Sequence, residues 1–190
     1  MDYLYRYNSS LGQITLACDG SALIGLWFNN QKHFGSTLGS EITDLEFARR
    51  VLLRENEPDE VRDVFAQTSE WLDRYFDGRK PGFTPPIRLI GTHFQQTVWR
   101  ALMTIPYGET RSYSQLASLI TLRRKLGTDH TKETGSRTSP RAVGMAVGRN
   151  PISIIIPCHR IVGSDESLTG YAGGVDRKIR LLALERISSS

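Results

Sequence analysis

At 190 residues, with 39% hydrophobic and 23% charged side chains, the chain has the composition of a folded globular protein, which excludes collagen, simple disorder and a disulfide miniprotein. Its net charge of +4 is unevenly spread: residues 1–90 carry 10 Lys and Arg against 13 Asp and Glu, or −3, and residues 91–190 carry 14 against 7, or +7. A basic half beside an acidic one points to a polyanionic partner for residues 91–190, because Lys and Arg that contact phosphates release counterions. A basic surface that is merely solvated is the competing reading.

No run approaches the roughly 18 apolar residues that span a bilayer, and Met1-Asp2-Tyr3-Leu4-Tyr5-Arg6 lacks the basic-then-apolar layout of a signal peptide. A cytoplasmic protein is expected, or a nuclear one in a eukaryote, with no membrane contact. Cys18 and Cys158 are too few for a disulfide framework or a cysteine-built zinc site, and one or both are read as free thiols.

The first thirty residues read as an antiparallel meander. Tyr3, Tyr5 and Tyr7 alternate with Leu4 and Arg6, Gln13 to Cys18 is partly alternating, and Ser21 to Phe28 is an apolar run, with turns at Asn8-Ser9-Ser10 and Asp19-Gly20. Glu41 to Arg54 and Pro58 to Phe76 read as helices, the second with Val61, Val64, Phe65, Leu72, Tyr75 and Phe76 on one stripe and a stop at Asp77-Gly78. Residues 1–77 are thus a small α/β domain. The Pro- and Gly-rich stretch Gly78 to Pro86 opens a linker over residues 78–91, and residues 92–190 form the second domain.

In that second domain, Thr92 with Gln95 and Ser112 with Gln115 are capping boxes that open two helices, the first stopped at Pro106-Tyr107-Gly108. Ser139 as cap and Pro140 in the first turn open a third, small-residue helix running to Gly148. Two short helices in succession read as a helix-turn-helix. Thr121 to Thr138 between them is polar, carries +3, and is expected to be a long loop. Ile152 to Ile156 reads as a buried strand by composition, and Asp176 to Arg186 as a last helix with Ile179 and Leu182 on one face.

Chemistry concentrates where that strand ends. A cysteine held by proline and flanked by histidine and arginine, Pro157-Cys158-His159-Arg160, has the ingredients of an activated thiolate: an imidazole to take the proton and a cation to lower the thiol pKa. Sequence neighbours diverge in direction, so the imidazole is expected to act through a bridging water or a backbone turn. A histidine acting as base wants a carboxylate on its other nitrogen, and Glu185 is the candidate. Cys18, inside a strand, reads as core. His33, His93 and His130 have no metal-ligand spacing among themselves or with Cys18, so no metal is expected.

The thiol motif does not stand alone. It continues through Ile161-Val162, is preceded by Arg149-Asn150-Pro151, and is followed by Gly170-Tyr171-Ala172-Gly173-Gly174 and by Lys178 with Leu181-Leu182-Ala183-Leu184-Glu185. With Phe94-Gln95-Gln96-Thr97-Val98-Trp99, Ile105-Pro106-Tyr107-Gly108-Glu109-Thr110 and Ser112-Tyr113, these segments closely resemble the O6-alkylguanine-DNA alkyltransferases, the methylated-DNA–protein-cysteine methyltransferases. The resemblance covers essentially residues 91–186. It implies a ribonuclease-H-like α/β fold for the N-terminal half, and a mostly helical, winged-helix-like C-terminal domain with helix-turn-helix and active-site cysteine.

The resemblance also implies a reaction without a cofactor: a thiolate displaces the alkyl group from guanine O6, with O4-alkylthymine left open as a further substrate, and each chain acts once. Cys158 is then the acceptor, His159 its water-relayed base, Glu185 the carboxylate orienting that histidine, Asn150 the residue fixing the local turn, and Tyr113 the tyrosine assisting at the base. The nucleotide must be rotated out of the duplex, at a cost of about a few kcal/mol. Arg141 resembles the arginine that fills the vacated stack, and Ala142, Gly144 and Ala146 let the second helix press into the minor groove of double-stranded DNA. Ser112 and Tyr113 also contact DNA, and Pro157, Ile161, Tyr171, Ala172 and Gly173 form the base pocket.

The turn of the helix-turn-helix is usually short in this family, whereas here it runs from Thr121 to Thr138. Arg123, Arg124, Lys125, Lys132 and Arg137 are expected to add phosphate contacts, against the reading of a surface loop with no energetic role. A monomer is expected, with cooperation along DNA left open. Two alternatives are a non-catalytic sensor of alkylated DNA, against which Cys158 itself argues, and a cysteine hydrolase, for which no oxyanion-hole signature is present.

Overall fold

A computed structural model of the chain describes residues 2–38, 58–126 and 137–187. The N-terminal sheet is the expected meander: β1 (Tyr3–Ser9), β2 (Gly12–Cys18) and β3 (Leu23–Phe28) pair antiparallel in the order β1-β2-β3. Its two faces follow the alternation of the sequence. Ile14, Leu16, Leu26 and Phe28 pack with α1 (Asp59–Phe76), while Leu4, Ala17, Ile24 and Trp27 form a separate cluster on the other face. Gly25 is required by Trp27, whose ring lies where a Cβ would stand, 1.8 Å from the nearest ring carbon.

The stripe on α1 comprises Val61, Val64, Phe65, Thr68, Trp71, Leu72 and Tyr75, a helical period that buries one whole face. Tyr5 stacks on Phe65 and Tyr7 on Phe76, so the tyrosines of β1 knit strand to helix. The helix expected over Glu41 to Arg54 lies outside the described residues.

Residues 86–88, inside the expected linker, run alongside β3 rather than free of it. Leu23 N donates to Pro86 O at 2.8 Å and Arg88 N donates to Leu23 O at 2.9 Å. Further along the same edge, Leu26 N donates to Pro151 O and Ser153 N to Leu26 O, each at 2.9 Å. The N-terminal sheet is therefore hydrogen-bonded directly to the segment that leads into Cys158.

The C-terminal domain is helical. The capping boxes open α2 (His93–Leu102) and α3 (Tyr113–Lys125), with side-chain and backbone halves both formed, and α4 (Pro140–Gly148) starts after Ser139, whose side chain makes no capping bond. Trp99 Nε1 on α2 donates to Ala146 O on α4 at 2.9 Å, locking the bundle. Two-residue strands β4 (Arg111–Ser112) and β5 (Ile161–Val162) pair in parallel, and α5 (Val175–Ile187) closes the fold.

Three expectations are corrected. Thr121 to Lys125 is not loop but the last turns of α3, so three of the basic residues assigned to the loop sit on a helix. Across the turn, Thr138 N donates to Thr121 Oγ1 at 3.0 Å, so the ends of the insertion are held together and α3 and α4 meet as if the turn were short. Ile152 to Ile156 is buried but is not a strand: it makes one bridge, Ile152 to Leu26, and then coils around the Asn150 side chain. On α5, Ile179 is 46% exposed, and the inward face is Lys178, Leu181, Leu182 and Glu185.

Candidate active site around Cys158

Cys158 opens a single 3-10 turn, Cys158–Arg160, at the end of the Asn150–Pro157 coil. That coil is shaped by one amide. Asn150 Oδ1 accepts from Ile152 N at 3.0 Å, and Asn150 Nδ2 donates to Ile156 O at 2.8 Å and to Ile152 O at 3.3 Å, replacing the bonds that a sheet would have supplied. Ile154, fully buried, has φ +69°, a left-handed conformation that is strained for a β-branched residue. The surrounding bonds hold it.

The same Asn150 Nδ2 lies 3.1 Å from Cys158 Sγ. Burial pushes the Cys158 thiol up to about 11, against the opposing pull of Asn150 and the Lys178 ammonium. This corrects the expectation of a thiol pKa lowered by the adjacent arginine. Arg160 is committed elsewhere, and at rest the group is a protonated thiol.

His159 is completely enclosed, and its Nε2 lies 2.7 Å from Glu185 Oε1. Burial opposes ionisation of Glu185, but the hydrogen bond from His159 and the Arg160 guanidinium outweigh it and bring the carboxyl down to about 2. An ionised carboxylate only accepts, so His159 Nε2 carries the proton and Nδ1 presents a lone pair. Nδ1 is buried and meets no hydrogen-bonding side chain or backbone atom among the described residues. Burial also holds the imidazole below its ordinary value of 6.5, keeping it neutral near pH 7.

Among the described residues, Glu185 draws donors from across the molecule. Oε1 accepts from His159, Tyr75 Oη at 2.8 Å and Arg160 Nη2 at 3.0 Å; Oε2 accepts from Arg160 Nε at 2.9 Å and Gly108 N at 3.1 Å. Arg160 also donates to Ile105 O at 2.7 Å and lies over the Tyr107 ring. Lys178, buried on α5, donates to Ile161 O at 2.5 Å and Thr169 O at 2.8 Å, which ties the thiol turn to the loop before Tyr171.

The structure brings Cys158, His159, Glu185 and Asn150 together, with Tyr113 close enough that burial and the Cys158 charge both raise its hydroxyl pKa. Tyr171 meets His159 edge-on at 6.4 Å, and Gly173 is packed so tightly under Tyr171 that a Cβ would fall 2.7 Å from its ring. Pro157 and Ile161 are buried and Ala172 half-buried, its carbonyl accepting from Lys32 N. Gly144 on α4 faces the Tyr113 ring, with room for a Cβ at 3.6 Å.

The residues assigned to DNA lie on α3 and α4 and at their ends. Arg141 is exposed in the first turn of α4, Ala142 is half-buried beside it, and Ser112 caps α3. Arg123 and Arg124 are half-buried and Lys125 exposed on the last turn of α3; the Arg124 guanidinium covers the Phe94 ring at 5.7 Å. Lys132 and His130 lie outside the described residues. Among those described, no group of three or more His, Cys, Asp or Glu is placed to hold a metal ion, and no helix is long and apolar enough to cross a membrane.

Sequence reasoning missed Tyr75, Gly108 and the fork of Arg160. Only Tyr75 left a trace: a hydroxyl among Val, Phe and Leu on a core stripe has to find a partner.

Comparison with known proteins agrees with this geometry. Residues 3–89 match the family model of the 6-O-methylguanine DNA methyltransferase ribonuclease-like domain, and residues 93–187 that of its DNA binding domain. A methylated-DNA–protein-cysteine methyltransferase of Mycobacterium leprae is 40% identical over 179 residues, 94% of this chain and 89% of the relative. One from Mycobacterium tuberculosis (strain ATCC 25618 / H37Rv) is 42% identical over 153 residues, 78% of this chain and 82% of the relative. The crystal structure of Mycobacterium tuberculosis OGT in complex with DNA superposes with a TM-score of 0.72 at 38% identity, covering 98% of this chain and 94% of that one. With both domain models matched in order and the thiol, imidazole and carboxylate assembled where they join, the chain belongs to the 6-O-methylguanine DNA methyltransferase family.

Proposed function

We infer that the chain is a methylated-DNA–protein-cysteine methyltransferase, repairing DNA by moving the alkyl group of O6-alkylguanine onto Cys158, once per molecule. The observation that carries this reading is a buried thiol beside a neutral histidine whose far nitrogen is tied to an ionised carboxylate, in a chain similar over 94% of its length to a protein of that name.

A thiol pushed up to about 11 is a weak nucleophile until its proton leaves. His159 Nδ1 takes that proton through a bridging water, and the imidazolium so formed is stabilised by Glu185 at 2.7 Å. The sulfur then attacks the saturated carbon in line with the C–O6 bond. The S–C bond forms, the C–O6 bond breaks, its electron pair stays on guanine, and Tyr113 donates a hydrogen bond to the departing base. The product is a thioether, which water does not cleave, so the chain is consumed.

The target atom lies inside a stacked duplex and the nucleotide must be turned out, at a cost of about a few kcal/mol. Arg141, exposed at the start of α4, fills the gap, while Ala142 and Gly144 let α4 approach the minor groove. Pro157, Ile161, Tyr171, Ala172 and Gly173 frame the extruded base. The chain works as a monomer on double-stranded DNA.

The test is mass spectrometry of the protein after incubation with excess O6-methylguanine duplex. One methyl per chain, mapped to Cys158 and absent from Cys158→Ala, is the expected result. No adduct with DNA binding retained would make the protein a sensor of alkylated DNA, and product in excess of protein would make it a hydrolase.

A further inference from the structure

Gly108, His159 and Arg160 donate to Glu185 from the C-terminal domain. Tyr75 reaches Glu185 from α1 of the N-terminal domain: its hydroxyl donates to Oε1 at 2.8 Å and lies 3.3 Å from His159 Nε2. Tyr75, His159 and Glu185 have no exposed surface. The phenol ring is held on several sides, stacked on Trp71 at 5.3 Å and met edge-on by Phe76, Tyr107 and His159. A side chain needed only for packing would fill that space as phenylalanine. A buried hydroxyl persists here because it has a charged acceptor.

We propose that Tyr75 is a positioning residue for the alkyl transfer, an N-terminal-domain hydroxyl that fixes the Glu185 carboxylate and, through it, the tautomer and orientation of His159. The proposal rests on the reading of Cys158 as the alkyl acceptor. It makes the N-terminal domain a working part of the thiol site, in addition to the edge that β3 lends to the Asn150–Pro157 coil. The physical logic is competition for one oxygen. Oε1 receives Tyr75, His159 and Arg160 together, and these three directions leave the carboxylate one orientation, in which His159 Nε2–H has an acceptor and Nδ1 faces away from it.

Removing the hydroxyl leaves Oε1 a stronger acceptor for His159, so the imidazole pKa rises. The other titratable and charged groups around His159 stay in place: Glu185 and Lys178 from α5, Cys158 and Arg160 in its own turn, Tyr107 ahead of β4 and Tyr171 ahead of α5.

The experiment compares wild type, Tyr75→Phe and Phe65→Leu, the last disturbing α1 packing far from the site. Two rates are followed against pH: methyl transfer from O6-methylguanine duplex, and alkylation of Cys158 by iodoacetamide, which needs no DNA. Tyr75→Phe should slow methyl transfer about tenfold, what loss of one hydrogen bond to a charged group is worth, and move the acid limb of both profiles to higher pH. Its Kd for undamaged duplex should be unchanged, and Phe65→Leu should lower the unfolding midpoint without moving either limb. Unshifted profiles in Tyr75→Phe, or an equal shift in Phe65→Leu, would overturn the proposal. Failure of wild type to methylate Cys158 would instead overturn the functional reading, with the iodoacetamide profile still testing Tyr75. Imidazole 15N spectra of the wild type add a check that needs no variant: the Nε2–H tautomer is expected, and Nδ1–H would refute the assignment.

Discussion

Arg160 holds Glu185 with both prongs of its guanidinium, Nε on Oε2 at 2.9 Å and Nη2 on Oε1 at 3.0 Å, while Nη1 reaches Ile105 O at 2.7 Å. The arginine beside the active-site cysteine thus serves the carboxylate on α5, not the sulfur. Only a planar fork satisfies both oxygens and the carbonyl at once. Arg160→Met should destabilise the protein by about 3–5 kcal/mol, because it strands a buried carboxylate. Arg160→Lys should recover only part of that loss. Urea unfolding of the two variants checks the order, and equal stability of Arg160→Lys and wild type would show the fork to be dispensable.

Stability should fall with acid in two stages. The Glu185 carboxyl, about 2 in the folded protein against an ordinary 4.5, is protonated first in the unfolded chain, so its contribution is complete above about pH 4.5 and lost as pH falls toward 2. His159, held below 6.5 by burial, also takes its proton first when unfolded, so stability already begins to drop below pH 6.5. Asp19, which its contacts with Ser21, Ala22 and Arg88 hold low against burial, adds to the carboxylate stage. Urea midpoints between pH 2 and 8 should show both descents. His159→Gln should remove the upper one, and Glu185→Gln should shrink the lower one without abolishing it.

Asn150 couples backbone shape to thiol chemistry through a single amide. Asn150→Asp keeps the acceptor for Ile152 N but loses the donor to Ile156 O and Cys158 Sγ and places a negative charge beside the sulfur. The thiol should titrate above its present value of about 11, and methyl transfer should slow. The unpaired carbonyl should cost a further 1–3 kcal/mol or so of stability. Alkylation of Cys158 by iodoacetamide against pH, with peptide mapping to separate it from Cys18, reads the first effect directly. An unchanged thiol pKa in Asn150→Asp would show that Asn150 does not act on the sulfur.

Local signals were the legible ones. The Thr92–Gln95 and Ser112–Gln115 capping boxes and the Val61-to-Tyr75 stripe are each contained within a few helical turns, and all are formed. Ile152 to Ile156 was misread because burial and strand composition coincide: the backbone bonds of that run are met by Asn150, which periodicity does not register. Cys158 and His159 were legible from local chemistry, with Glu185 as a candidate carboxylate, but its assignment rests on the family's motifs, since nothing local distinguishes Glu185 from a solvated helix glutamate. Tyr75 stands 84 residues from His159 and 110 from Glu185, and no pattern in the sequence carries such a contact. The inward face of α5 was misplaced for a related reason. Lys178 looks solvated until the carbonyls of Ile161 and Thr169 are seen around its ammonium.

Arg141 has no hydrogen bond or ion pair with any described residue that would tie it into the fold, and it is exposed at the start of α4. Arg141→Ala should therefore leave the unfolding midpoint unchanged. Its effect should depend on whether a base must be turned out. With duplex O6-methylguanine, methyl transfer should slow at least tenfold, as expected if about 1.4 kcal/mol or more of the unstacking cost is no longer offset. With the free O6-alkylguanine base, the rate should match wild type. Equal slowing on both substrates would place Arg141 in the chemistry, and no slowing on either would remove it from the mechanism.

The basic charge between the two helices lies outside residues 127–136. Residues 127–136 carry Lys132 against Asp129 and Glu133, whereas Arg123, Arg124 and Lys125 belong to α3 and Arg137 adjoins α4. Lys125 and Arg137 line one groove between α3 and the start of α4, whose two sides are joined by the bond from Thr138 N to Thr121 Oγ1. Deleting 127–136 should therefore leave the salt dependence of DNA affinity unchanged, since it removes no net positive charge. Lys125→Ala and Arg137→Ala should each reduce the slope of log affinity against log salt by about 0.9, one phosphate contact apiece. Arg124, its guanidinium covering Phe94, should instead lower stability when changed to alanine and leave the slope nearly intact. A slope lowered by the deletion and untouched by the two alanine substitutions would return the phosphate contacts to residues 127–136.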